Sequence, residues 1–199
     1  EDLMRQHQRS RGCDFEEAKG EAAFYGPKID IQMKNINDKE DTAFTVQYDF
    51  CMPERFDLSY IGEDGKNHRA FVIHRSSIGT FERLMAFLIE HTAGAFPLWL
   101  APVQTVVLPV SEKQAAFARE VFETLKSAGI RAEIDDRNET LGKKIRDWKM
   151  QKTPYALVLG DEETRLKEVT IESRDNGKVG RMSVVDAVGR FAEEIKSKQ

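Results

Sequence analysis

Apolar and polar residues alternate along this chain with two different periods, and the change between them divides it. From residue 28 to residue 50 the period is two. In KIDIQMK, Ile29, Ile31 and Met33 alternate with Asp30, Gln32 and Lys34, the pattern of a strand with one apolar face. NINDKED follows, a turn rich in Asn and Asp. In TAFTVQYDF, Thr42, Phe44, Val46, Tyr48 and Phe50 fall on one side, and Ala43, Thr45, Gln47 and Asp49 on the other. Two such runs around a polar turn predict an antiparallel pair. The polar side reads as the side facing solvent.

A second pattern starts at FVIHRSSIGTFERLMAFLIEH, residues 71–91. Phe71 and Ile73 alternate with Val72 and His74, a further strand. Thr80 is placed to cap a helix whose apolar residues Phe81, Leu84, Met85, Leu88 and Ile89 recur at helical spacing. Phe87 adds apolar surface on another side, so the pattern predicts a helix covered on most sides. Arg83 would then be buried, and a buried arginine needs an anion. Glu82 is adjacent in sequence and points elsewhere. An ion pair within the fold and a contact to a ligand both satisfy the requirement. His74 taken alone reads more readily as a structural histidine than as a metal ligand.

Past Leu100–Pro102 strands and helices alternate. TVVLPV is a strand, and Ser111 with Gln114 forms a capping box for a helix through Ser127 that Gly129 stops. IRAEID, YALVLG and EVTIES are strands, and GRMSV is a possible edge strand. LGKKIRDWKMQK is a helix that Pro154 ends, and Ser183 caps a last helix with Asp186 at the capping-box position. This order predicts an α/β sandwich with a mixed sheet. The expected domains are 1–101 and 102–199.

Composition narrows the class. No apolar run is long enough to span a bilayer, and no signal peptide is visible. Cys13 and Cys51 are far apart and form no CxxC, which fits a reducing, cytoplasmic setting better than a disulfide framework. The net charge of −4 argues against a general nucleic-acid binder. It is uneven, however: residues 1–100 hold 12 Lys/Arg against 17 Asp/Glu, and residues 101–199 hold 18 against 17. The basic residues cluster in DDRNETLGKKIRDWKMQK, as Arg137, Lys143, Lys144, Arg146, Lys149 and Lys152. That cluster is either a solvated helix face or a surface for phosphates.

Several stretches together are specific to one family. GEAAFYGPKIDIQ, TVQYDFCMPERFDLSYIGEDGKNHR, VIHRSSIGTFERLMAFLIEHTAGAFPLWLAPVQ and IDDRNETLGKKIRDWKMQKTPYALVLGDEE cover nearly the whole chain. They resemble the threonyl-tRNA synthetases, class II aminoacyl-tRNA synthetases. The resemblance implies an α+β catalytic core with an antiparallel sheet, present in part, followed by an α/β anticodon-binding domain with a mixed sheet. It implies a threonine–tRNA ligase that uses ATP, with magnesium, to make threonyl adenylate and then esterifies threonine tRNA. A cytoplasmic homodimer is expected.

The resemblance also implies roles. GTFER matches motif 3, so Arg83 would contact ATP, with Thr80 and Thr45 beside it. A guanidinium suits both phosphate and adenine. His74 matches a zinc ligand; the metal there holds the amino and hydroxyl groups of threonine, which excludes valine. Tyr25 and Gln47 match residues around threonine and the tRNA terminus. Lys28 matches a lysine that stabilises negative charge near the reacting groups. Arg137, Asn138 and Glu163 become candidate readers of anticodon bases, with basic side chains of the neighbouring helix on phosphates.

Two departures stand out. Asp41-Thr42-Ala43-Phe44 replaces a Trp-Gln-Cys-Gly found in some members, so a glutamine toward ATP is missing. Glu172 stands where the family usually has arginine, with Arg174 as an expected substitute. The family's motifs 1 and 2 and its other zinc ligands have no counterpart in these residues, so the chain is expected to be a fragment. A non-catalytic RNA-binding or regulatory paralogue is the alternative.

Overall fold

The computed structural model describes residues 1–198. Its contacts divide the chain into two compact units, Glu1–Phe87 and Leu88–Gln199. That division lies ahead of the expected boundary at 101/102. The connector packs with the second unit: Leu98 and Ala101 are buried, and the Gln104 amide donates to Leu98 O and accepts from the Arg131 amide. The Arg131 guanidinium donates to Ala101 O and Trp99 O.

The first unit opens with helix α1 (Asp2–Ser10). Strands β1 (Lys28–Lys34) and β2 (Glu40–Asp49) pair antiparallel around the predicted turn, where the Asn35 side chain accepts from the amides of Asn37 and Lys39. A short helix α2 (Met52–Arg55) and a hairpin of β3 (Ser59–Ile61) and β4 (Asn67–Arg69) follow. Strand β5 (Val72–Ser76) then pairs antiparallel with β2, giving the order β1-β2-β5. Helix α3 (Phe81–Thr92) spans the division between the units.

Two expectations about this unit are corrected. The polar side of β2 is the covered one: Gln47 and Asp49 are 9% and 1% exposed, whereas Ile31 and Ile73 on the apolar side are 54% and 56% exposed. The contacts on that side come from Tyr25, whose hydroxyl bonds Gln47, and from His74 and the amides at the start of α2, which bond Asp49. Helix α3 is not buried, for Phe81, Met85 and Ile89 remain largely exposed, and Arg83 with them. Leu84, Phe87 and Leu88 of the same helix are half-buried. A third difference is local. The register slips between Ile31 and Gln32, which pair with Phe44 and Thr42. Ala43 is therefore the extra residue of a bulge, and Thr42 moves to the polar side, its hydroxyl 3.1 Å from Gln32 Oε1.

The second unit follows its pattern closely. Strands β6 (Thr105–Pro109), β7 (Ala132–Ile134), β8 (Tyr155–Leu159), β9 (Glu168–Ser173) and β10 (Gly177–Ser183) form one sheet in the order β10-β9-β8-β6-β7. β6 is parallel to β7 and β8, and the other pairs are antiparallel, so the sheet is mixed as expected. Helices α4 (Ala115–Ser127) and α7 (Val184–Ser197) pack on one face through Phe117, Val121, Leu125 and Phe191. Helix α5 (Leu141–Met150) packs on the other through Trp148, against Val106, Leu108 and Ala156. The short α6 (Asp161–Leu166) links β8 to β9. Ser111, Thr140 and Ser183 all make the side-chain caps that start their helical segments.

Candidate functional site

The polar side of β1-β2-β5 gathers most of the expected residues of the first unit. The register sets Lys28, Gln47 and His74 in one row, and Asp30, Thr45 and Ser76 in the next. Asp30 joins the two: its Oδ2 lies 2.5 Å from Lys28 Nζ, and its Oδ1 accepts from the Thr45 hydroxyl at 2.8 Å. The Tyr25 hydroxyl donates to Gln47 Oε1 at 3.1 Å, so the Gln47 amide group is aimed and its N–H donors face away from that bond. Gly26 sets the turn that delivers Tyr25. A Cβ there would lie 2.1 Å from Tyr48 O, a backbone atom that has no room to yield. Gly26→Ala is expected to cost about 1–3 kcal/mol through forced backbone shifts. Chemical denaturation of this chain checks the cost.

His74 Nε2 lies 2.9 Å from Asp49 Oδ2. Asp49 Oδ1 accepts the amides of Cys51 and Met52 at 3.0 and 2.9 Å. Burial pushes the Asp49 carboxyl up, but hydrogen bonds from His74 and those two amides outweigh it and hold it below the usual carboxylate value. No group of three or more His, Cys, Asp or Glu able to hold a metal occurs among the described residues. His74 thus offers one ligand at most to a metal, and it has the carboxylate partner usual for a metal-binding histidine.

Thr80 caps α3 as expected, its hydroxyl accepting from the Arg83 amide at 3.2 Å. The Arg83 guanidinium donates to Thr42 O at 3.2 Å. Arg83 therefore stands at the end of the polar face where the bulge has turned Thr42 toward Gln32. Its charge meets a carbonyl there and, among the described residues, no salt-bridge partner.

In the second unit Arg137 and Asn138 follow β7, and Glu163 lies in α6 directly after β8. All three sit at the carboxyl ends of the parallel strands, the usual ligand edge of such a sheet. Arg137 is fixed by two bonds to Asp135, at 2.8 and 2.7 Å, and by one to Asp147 at 2.9 Å. Those contacts, from Asp135 first and then Asp147, push the guanidinium pKa upward and keep the charge permanent. Arg137, Asp135, Asp147, Trp148 and Gln151 line an open depression of about 180 Å³. Asn138 beside it is exposed. Glu163 is differently placed. Its Oε2 accepts the Gly160 amide, and its Oε1 accepts the Thr170 hydroxyl and lies 3.1 Å from Arg181.

Two basic residues are corrected. Lys144 is 3% exposed and donates to Pro109 O and Asp135 O, both at 3.0 Å. It ties β6 to the loop after β7 and does not belong to a phosphate surface. Arg174 does not replace the arginine missing at Glu172. Its guanidinium donates to Phe96 O, Lys152 O and the Asp175 carboxylate, at the sheet end opposite Arg137.

Sequence reasoning missed Asp30, Asp49 and Asp135 as partners. Each lies one strand neighbour or two residues from a residue it did single out, and for the first two the alternation of β1 and β2 was the available signal.

Comparison with known proteins shows two family matches. Residues 3–92 match the tRNA synthetase class II core domain (G, H, P, S and T), and residues 104–194 match the anticodon binding domain. A threonine–tRNA ligase of Clostridium perfringens strain 13 is 50% identical over 199 residues, and one of Geobacillus kaustophilus is 48% identical over 198. The chain spans 31% and 30% of their lengths. The crystal structure of the RNA binding domain of threonyl-tRNA synthetase from Cryptosporidium parvum Iowa II superposes with a TM-score of 0.88 at 34% identity. That match covers 97% of this chain and 49% of the other.

Proposed function

This chain belongs to the threonyl-tRNA synthetases of class II, as part of the catalytic domain together with the anticodon-binding domain, and on that premise we propose that it works within a threonine–tRNA ligase. The complete enzyme activates threonine with ATP and magnesium and transfers it to threonine tRNA, as a cytoplasmic homodimer. The observation that carries the reading is the single polar face holding Lys28, Gln47 and His74 in one row and ending at Thr42 and Arg83. Gln32 lies four residue steps along β1 from that row, a distance of about 13 Å along the strand. A face of that length accommodates an extended amino acid joined to a nucleotide.

The residues divide the work. His74 would hold one position of a zinc ion, whose chemistry is to bind the amino and hydroxyl groups of threonine. Further ligands come from the rest of the enzyme. Lys28, balanced by Asp30, places a cation beside the reacting carboxylate. Gln47, aimed by Tyr25, offers its amide N–H groups to threonine or the tRNA terminus. Arg83, with Thr80 and Thr45 nearby, receives the nucleotide. Threonine-dependent ATP–pyrophosphate exchange by the full-length protein tests the reading. Its absence from a protein that still binds threonine tRNA would instead make this a non-catalytic paralogue. The chain of residues 1–199 alone is expected to show no exchange.

The second unit would bind the anticodon stem-loop, Arg137 and Asn138 at the bases and Lys143, Arg146 and Lys149 at phosphates. Glu163 is then a support for the reading edge through Gly160 and Thr170. Asn138→Ala is expected to cost about 1–3 kcal/mol against the cognate loop and to narrow its lead over other loops. Lys149→Ala should weaken all loops alike and flatten the salt dependence. Titration of labelled stem-loops with this chain at two salt concentrations checks both. Equal binding of cognate and non-cognate loops would reduce the surface to an electrostatic one.

A further inference from the structure

We infer that Asp49 is a positioning residue that fixes the tautomer of His74, so that Nδ1 is the nitrogen presented to a metal; this rests on the reading of His74 as a zinc ligand. Asp49 is 1% exposed and has no freedom to turn, because its Oδ1 accepts the amides of Cys51 and Met52 at the start of α2. Its Oδ2 therefore stays 2.9 Å from His74 Nε2. An ionised carboxylate only accepts, so the proton of a neutral imidazole must sit on Nε2. Nδ1 then carries the lone pair, and a metal takes the lone pair. The strand register supports the geometry. His74 pairs with Gln47 on β2, two residues before Asp49 on the same face, and half of the His74 side chain is left open.

Asparagine at this position makes a discriminating variant. The Asp49→Asn side chain keeps an oxygen for the two amides, which hold it in place. Its NH2 group then faces Nε2 and donates, which moves the imidazole proton to Nδ1 and removes the lone pair from the metal side.

Two measurements test this. In the 199-residue chain labelled with ¹⁵N-histidine, the ring nitrogen shifts of neutral His74 should report Nε2–H in the wild type and Nδ1–H in Asp49→Asn. A wild-type Nδ1–H ring overturns the inference without needing any variant. In the full-length enzyme, zinc content and affinity are read by elemental analysis and competition with a chelator. Asp49→Asn is expected to weaken zinc about 10–100-fold, and His74→Ala to abolish binding. Zinc retained by His74→Ala would remove the ligand reading itself. Zinc lost by His74→Ala but held with wild-type affinity by Asp49→Asn would leave the ligand standing and overturn the role of Asp49.

Discussion

Replacing Arg83 by alanine in the full-length enzyme is expected to slow threonine-dependent ATP–pyrophosphate exchange by about 10²–10³-fold, the range for removing one preorganised charge-stabilising donor. The side chain is positioned by a single bond to Thr42 O and by the Thr80 cap at its own amide. The cap is a backbone feature and survives the substitution. Arg83 is exposed and has no acidic partner in the salt bridges of the described residues, so the change should alter stability by no more than about 0.5 kcal/mol. Unfolding of this chain by urea and its affinity for the anticodon stem-loop should therefore be unchanged while exchange collapses. Near-normal exchange would take Arg83 out of the site.

The contrast between Arg83 and Lys144 shows where the sequence was informative. Periodicity assigned β1, β2, β5 and α3–α5 to their types, because alternation and helical spacing are local properties that each segment carries alone. The caps at Thr80, Ser111 and Ser183 are equally local. What covers each face is not local. The apolar side of β2 is a correct reading of Phe44, Val46 and Tyr48. Yet Gln47 and Asp49 on the other side are the buried pair, since the Tyr25 hydroxyl, His74 and the start of α2 close on them. The same holds for α3, whose apolar stripe predicts full cover, whereas Leu84 and Leu88 are half-buried and Phe81, Met85 and Ile89 stay exposed. The bulge at Ala43 is a further case. One extra residue in a ten-residue strand leaves the pattern almost unchanged but moves Thr42 to the other face. Tyr25, Lys28, Gln47 and His74 were nameable as candidate site residues from the family resemblance. The carboxylates that hold Lys28 and His74 became visible only once strand register brought Asp30 and Asp49 beside them.

Lys144→Ala is expected to destabilise the second unit by about 3–6 kcal/mol, because two carbonyl oxygens lose a charged donor worth about 1.5–3 kcal/mol each. The sequence places Lys144 among five other basic residues in a short run, where any of them passes for a phosphate contact. The fold separates it from the rest. Its ammonium lies between Pro109 O at the end of β6 and Asp135 O just after β7, two positions that only the parallel pairing of β6 with β7 brings together. At 3% exposure it is out of reach of an RNA backbone. The loss would also loosen the loop that carries Asp135, and through it the paired Arg137. RNA binding should thus fall as a consequence of lost structure, with the salt dependence of the remaining binding unchanged, whereas Lys149→Ala should flatten that dependence and leave stability intact. Lys144→Met, which keeps most of the side-chain volume, should recover the packing but not the two hydrogen bonds, and fall between Lys144→Ala and the wild type. Urea unfolding of the three variants, followed by far-ultraviolet circular dichroism, separates the cases. A Lys144→Ala chain as stable as the wild type but with a flattened salt dependence would return Lys144 to the RNA surface.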